Sequence, residues 1–362
     1  MATETQIADA FRIIAEAVSV EPEELQDLES WTYLGLTGLL ATATVSDLKQ
    51  QAGIDLPADV FSVYRTVADL KNFLHGSKIS KEETFDTGEP EDPWEGIPKP
   101  KVPISVVLQG SVSTADKIVF LFPDGSGAGT SYGTLPRIGE DICLVGLNSP
   151  FLRQAENFTC SIERMARLWI GEVRKVQPAG KPYFLGGWSA GGYYSYEVAK
   201  LLSQAGAKVA RLILIDSPCR LRYEALPEQV VAELTRKGLM GASGQKKAPE
   251  WLVQHFTSTV ISVDQYHPTA LVDQHVPAKV DFIWVREGLV DSVAASGLDV
   301  DLDVKVTRFL LEPRSDLKTE GWEDLLPGAE FSFHYMTGNH FEITQPPHSQ
   351  ILGEILTALL GR

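Results

Sequence analysis

Apolar positions fall into two kinds of pattern, and the change between them divides the chain. Near the N-terminus Ile7, Ala10, Phe11, Ile14 and Val18 recur at spacings of three and four, which predicts a helix with one buried face. A second run spans Leu39 to Gln50, and a third, Thr66 to Leu74, opens on a threonine able to cap its free amides and closes near Gly76. These runs predict a small helical bundle over residues 1–76. From 77 to 103 prolines alternate with charges, a composition that buries no core and reads as a linker. Beyond it the period shortens. Ile104–Leu108, Lys117–Phe122, Ile142–Leu147, Tyr183–Leu185, Arg211–Ile215, Val280–Val285 and Phe331–Met336 are short strand-like runs, interleaved with helical segments at Cys160–Lys175, Tyr193–Gln204 and Ser349–Leu360. Near-continuous apolar strands alternating with helices predict a mostly parallel sheet covered by helices on both faces.

One strand-to-helix junction carries chemistry. Gly187-Trp188-Ser189-Ala190-Gly191 follows Tyr183-Phe184-Leu185 and precedes the helix at Tyr193, the setting in which a Gly-x-Ser-x-Gly turn projects a nucleophilic hydroxyl above the sheet of an α/β-hydrolase. A catalytic serine needs a base, and the base needs an acid to fix its tautomer. In this fold the order is serine, acid, histidine, with the histidine on a loop after the last strand. Thr337-Gly338-Asn339-His340-Phe341 is such a loop, so His340 is the expected base, ahead of His348 late in the same loop and of His334 inside the strand. For the acid, Asp216 and Glu287 both follow strands. The glycine-rich loop Pro123-Asp124-Gly125-Ser126-Gly127 lacks a Walker lysine and suits an oxyanion hole, with the amide of Asp124 or Gly125 joining that of Ala190. The helix-patterned block at about 218–278 has the size of a lid, with Leu239, Met240, Trp251, Phe256, Val260 and Tyr266 as candidates for either its substrate-facing wall or its own small core.

Composition narrows the partners more than it narrows the reaction. A formal charge of −16 spread along the chain argues against nucleic acid and against an anionic membrane surface. Three cysteines without paired spacing indicate neither a disulfide framework nor a zinc site, and no run of eighteen apolar residues occurs. A cytoplasmic protein without cofactor or metal is expected.

The words Tyr33-Leu34-Gly35-Leu36, Gly53-Ile54-Asp55-Leu56-Pro57 and Thr66-Val67-Ala68-Asp69-Leu70 resemble an acyl carrier protein of fungal non-reducing polyketide synthases. That family has Asp-Ser-Leu at the start of its second helix, where this chain has Thr37-Gly38-Leu39. Gly38 has no hydroxyl to esterify, so the resemblance implies a pseudo carrier domain without phosphopantetheine; Ser46 and Ser62 lie outside the matching context. Leu121-Phe122-Pro123-Asp124-Gly125-Ser126-Gly127, Gly187-Trp188-Ser189-Ala190-Gly191-Gly192, Asp216-Ser217-Pro218 and Gly338-Asn339-His340-Phe341 resemble the thioesterase, or Claisen-cyclase, domain of the same synthases. The resemblance selects Asp216 as the acid and implies a thioesterase domain over 104–362 with the catalytic set Ser189, Asp216 and His340.

No ketosynthase or acyltransferase fits in 362 residues. The chain is therefore similar to free-standing pseudo-carrier thioesterases, and this implies trans-acting release of a 2,4-dihydroxy-6-alkylbenzoic acid from the acyl carrier protein of a partner polyketide synthase. Hydrolysis is the expected outcome, with cyclising release, a general esterase and a non-catalytic docking module as alternatives.

Overall fold

The computed structural model describes residues 3–22, 25, 31, 34, 36, 38–57, 60–64, 67–75, 92–239, 249–272 and 275–361. The chain divides into two compact units, Met1–Gly88 and Glu89–Arg362.

In the first unit α1 (Glu4–Val18), α2 (Gly38–Gln51), α3 (Val60–Val63) and α4 (Val67–Leu74) enclose one core. The Thr3 hydroxyl accepts the Gln6 amide while the Gln6 side chain accepts from the Thr3 amide, so two amides that a helix start leaves unpaired are satisfied together. The predicted face of α1 turns inward: Ile7, Ala10, Phe11 and Ile14 are buried against Leu48, Val60, Val67 and Leu70. Trp31 is buried edge-on to Phe61 and donates its indole N–H to the Tyr64 carbonyl at 2.6 Å. Thr37 and Thr66 lie outside the described residues, as does most of the proline-rich stretch.

The second unit is built on a seven-stranded sheet: β1 (Ser105–Gln109), β2 (Lys117–Phe122), β3 (Ile142–Leu147), β4 (Tyr183–Trp188), β5 (Val209–Ile215), β6 (Lys279–Val285) and β7 (Glu330–Met336). Their spatial order is β1-β3-β2-β4-β5-β6-β7. All neighbours are parallel except β1, which pairs antiparallel with β3 at the sheet edge and leaves Val107 half exposed. The central strands are buried almost throughout because helices cover them, which is why they read as apolar runs rather than alternating ones. Around the sheet run α5 (Ile162–Val176), α6 (Ala190–Gln204), α7 (Glu228–Lys237), α8 (Glu250–Asp264), α9 (Val293–Ser296), α10 (Lys305–Leu311) and α11 (His348–Leu360).

Residues 92–103 are held on this unit. Trp94 and Ile97 pack on its core, Arg164 Nε donates to the Pro93 carbonyl at 3.0 Å, and Asn148 Nδ2 donates to the Pro103 carbonyl at 2.8 Å. Among the described residues no helix is long and apolar enough to cross a membrane, and no cluster of His, Cys, Asp or Glu could hold a metal.

Candidate active site

Ser189 sits at the turn between β4 and α6 with φ 57° and ψ −123°. A non-glycine residue in that region carries strain of about 1–3 kcal/mol, which the surroundings must impose. Two close approaches impose it. A Cβ on Gly187 would lie 2.2 Å from the carbonyl of Gly191, and one on Gly191 would lie 2.6 Å from the Phe122 carbonyl, so only glycine lets the helix start press against the strand ends. The turn is also tied to β2. Tyr132 accepts the Trp188 amide at 2.8 Å through its hydroxyl oxygen and donates to the Phe122 carbonyl at 2.7 Å.

The parallel sheet brings three distant segments to this point. Asp216 directly follows β5, and its φ of 44° turns it out of the strand line while its amide stays on the Ile283 carbonyl of β6. The loop after β7 carries His340. Its Nδ1 donates to Asp216 Oδ2 at 2.7 Å, and its Nε2 lies 3.0 Å from Ser189 Oγ, which donates to it in the resting tautomer. Ser189, His340 and Asp216 thus form one hydrogen-bonded chain. Glu287 is exposed at the end of β6. His334 hydrogen-bonds Ser332 within β7, and His348 opens α11, 3.7 Å from Glu342.

Asp216 is entirely buried. Burial pushes its carboxyl up, but the Arg314 guanidinium and the hydrogen bond and charge of His340 outweigh it and hold the group below the usual carboxylate range. Arg314 meets it with both fork nitrogens, Nη1 to Oδ1 and Nη2 to Oδ2, each at 3.1 Å, and the Val285 amide donates to Oδ1 at 3.2 Å.

Above the serine is a cleft that is partly open to solvent. Ser189, Ala190, Gly125 and His340 line it, with an apolar wall that includes Leu226, Phe256, Val260, Phe309 and Leu310. Asp124 is not on that lining. Its carboxyl is buried and accepts the Ser126 hydroxyl at 2.5 Å; burial raises it, opposed by Ser126 and by the charge of His340. Glu224 supplies the one acidic side chain of the described lining, its Oε2 accepting the Lys305 amide at 3.0 Å.

The 218–278 block contributes through α8. Phe256 and Val260 face the cleft, whereas Tyr266 is buried beside α6 and donates to Glu197 at 2.8 Å. Trp251 lies under the Arg153 guanidinium, Leu239 packs on the main core, and Met240 is outside the described residues. α8 also grips the glycine-rich loop: the Gly125 carbonyl accepts both His255 Nδ1–H at 2.9 Å and the Thr259 hydroxyl at 3.1 Å. Burial pushes His255 down to about 4, opposed by that bond to Gly125, so it is neutral near pH 7.

Sequence reasoning had not singled out His255, Thr259, Phe309 or Arg314. The first two are spaced i, i+4 beside Phe256 and Val260, a detectable sign that one helix face serves both loop and cleft. Arg314 lies in a loop without a motif.

The arrangement can generate a nucleophile at Ser189 and pass its proton to His340. The thioesterase domain family matches residues 117–359. The chain belongs to this thioesterase family. A phosphopantetheine attachment site family matches residues 11–74, and Gly38 is the first residue of α2. The thioesterase is 35% identical over 96% of its length to the non-reducing polyketide synthase terA of Aspergillus terreus, and 31% identical over 98% to the norsolorinic acid synthase stcA of Emericella nidulans. It spans only 18% and 17% of those proteins.

Among solved structures it resembles a four-domain nonribosomal peptide synthetase, with TM-score 0.54, 19% identity and coverage of 96% of this chain and 25% of that one. It also resembles the NocB thioesterase domain in covalent complex with a fluorophosphonate nocardicin G analogue, with TM-score 0.52, 23% identity and coverage of 69% and 97%. These likenesses concern the α/β-hydrolase fold.

Proposed function

We propose that this thioesterase releases an aromatic polyketide of the 2,4-dihydroxy-6-alkylbenzoic acid type from a phosphopantetheine arm, through an acyl-enzyme on Ser189 that water hydrolyses. The observation that carries the reading is the continuous chain Ser189–His340–Asp216 opening on an apolar cleft. His340 Nε2 takes the Oγ proton as Oγ attacks the thioester carbonyl, and the amides of Ala190 and Gly125 receive the oxyanion; Gly125 is preferred to Asp124 because it lines the cleft. Collapse breaks the C–S bond, and the thiolate leaves with the proton from Nε2. Water then gives a proton to Nε2 and its oxygen to the carbonyl, and Ser189 regains its proton as the acid departs. The polyketide assignment is supported by the synthases it resembles.

In this reading residues 1–76 are a pseudo carrier domain and 104–362 the catalytic domain, and the linker expected over 77–103 is shorter, because Trp94 and Ile97 pack on the catalytic core and residues 92–103 belong with it. With Gly38 in place of an esterifiable serine, the acyl group comes from the acyl carrier protein of a partner synthase acting in trans, and the pseudo carrier domain docks rather than loads.

The test is turnover of a carrier-bound aromatic thioester in ¹⁸O-labelled water. A free acid bearing ¹⁸O is expected, with no release by Ser189→Ala. A lactone or carbocyclic product without label would replace hydrolysis by cyclising release, and release unchanged in Ser189→Ala would exclude the acyl-enzyme.

A further inference from the structure

Asp216 has more partners than orienting a histidine requires. His340 Nδ1 and Arg314 Nη2 share Oδ2, while Arg314 Nη1 and the Val285 amide share Oδ1, so both oxygens are pinned and the carboxylate cannot rotate. Arg314 is itself locked. Its side chain is 6% exposed, its guanidinium lies 3.9 Å from the centroid of the Phe309 ring, and its amide donates to the Arg286 carbonyl at 2.7 Å. Phe309 also belongs to the cleft lining, and its ring lies edge-on to His340.

We propose that Arg314 is a positioning residue of the catalytic apparatus, which clamps the triad acid in one orientation and so holds His340 in line with Ser189. The proposal rests on the Ser189 acyl-enzyme reading above. The fork does what a lone charge could not: two parallel bonds hold the carboxylate plane, and through Oδ2 the ring plane of His340, toward Ser189.

Other groups near the pair do not duplicate this role. Asp124, from the loop after β2, is a carboxyl that burial raises toward its neutral form. Arg286 and Glu287 at the end of β6 face solvent, Glu342 is near His348, and Glu224 and Tyr193 belong to the cleft lining, with Glu224 bonded to the Lys305 amide and Tyr193 to the Pro218 carbonyl. Arg314 is absent from that lining, so its loss should change kcat far more than KM.

The experiment compares full-length wild type, Arg314→Met and Arg314→Lys in hydrolysis of a small acyl thioester, with competent Ser189 counted by fluorophosphonate labelling. Labelling and turnover of the wild type decide the acyl-enzyme reading; the variants decide the role of Arg314. For Arg314→Met kcat per labelled site should fall about tenfold to a hundredfold at constant KM. Arg314→Lys, which keeps the charge but not the fork, should lower kcat at least about fivefold at constant KM. Unchanged kcat per labelled site in Arg314→Met, or a loss that appears in KM rather than kcat, overturns the proposal. If Arg314→Met does not fold, wild-type kcat in Arg314→Lys overturns it.

Discussion

His255 is the sharpest point at which α8 and the glycine-rich loop depend on one another. Its ring is buried, Nδ1 holds the Gly125 carbonyl, Nε2 has no hydrogen-bond partner among the described residues, and a Cβ on Gly127 would come within 2.4 Å of it. Replacing it with asparagine keeps a donor in the Nδ1 position and removes the titratable group. The folded-state value of about 4 lies below the 6.5 of the unfolded chain, so the unfolded state takes up a proton first as pH falls. The stabilisation conferred by a neutral His255 is therefore fully present above about pH 6.5 and declines through the window down to about pH 4, with the total loss about 3 kcal/mol and roughly 2 kcal/mol of it between about pH 7 and 4.5. Asp216, held low, loses its own contribution only at still lower pH, and Asp124, held high, acts in the opposite direction; neither is altered by the substitution. The assay is urea unfolding of wild type and His255→Asn at stepped pH, following the transition of the unit that contains Trp169, Trp284 and Trp322. His255→Asn should be less stable near pH 7, by about 1–3 kcal/mol for the cavity left, yet lose roughly 2 kcal/mol less on going to about pH 4.5. Parallel pH profiles for the two proteins would refute the reasoning.

Three further outcomes are expected. Gly187→Ala places a methyl group 2.2 Å from the Gly191 carbonyl, so either β4 or α6 must shift; thermal unfolding should report a loss of about 3 kcal/mol or more, and an unchanged midpoint would mean that the elbow is not sterically set. Asp216→Asn cannot accept the Nδ1 proton as a carboxylate does, and single-turnover assays should show kcat lowered about a thousandfold or more with folding retained by circular dichroism; unchanged turnover would direct the search for the acid to Glu287. Incubation with coenzyme A and a phosphopantetheinyl transferase should add no mass to the wild-type chain, and an adduct on Ser46 or Ser62 would contradict the pseudo carrier assignment.

The legible parts of this protein are those in which short-range chemistry dictates the fold. The apolar strands, the glycine-bracketed Ser189, the face of α1 and the starts of α7 and α8 after Pro227 and Pro249 are all written locally. Ser189, Asp216 and His340 could be singled out because a parallel sheet gathers strand ends at one edge, and they lie in one hydrogen-bonded chain. The rest depends on contacts over long chain separations. Phe309 and Arg314 come from the crossover between β6 and β7, where α9 and α10 are one or two turns long and interrupted by glycine, aspartate and serine, so no period announces them. The antiparallel setting of β1 cannot be read from its five residues. Trp94 and Ile97 sit in a proline- and charge-rich stretch whose average composition hides two anchoring side chains.

The central claim is that Ser189 takes the acyl group from a thioester carried by another protein. Mixing the chain with an aromatic polyketide on a carrier-protein phosphopantetheine, quenching within one turnover and mapping the peptides by mass spectrometry tests it most directly. An acyl adduct on the peptide containing Ser189, absent from Ser189→Ala, is the predicted result. Release of product with no adduct at any quench time, at the same rate in Ser189→Ala, would contradict it.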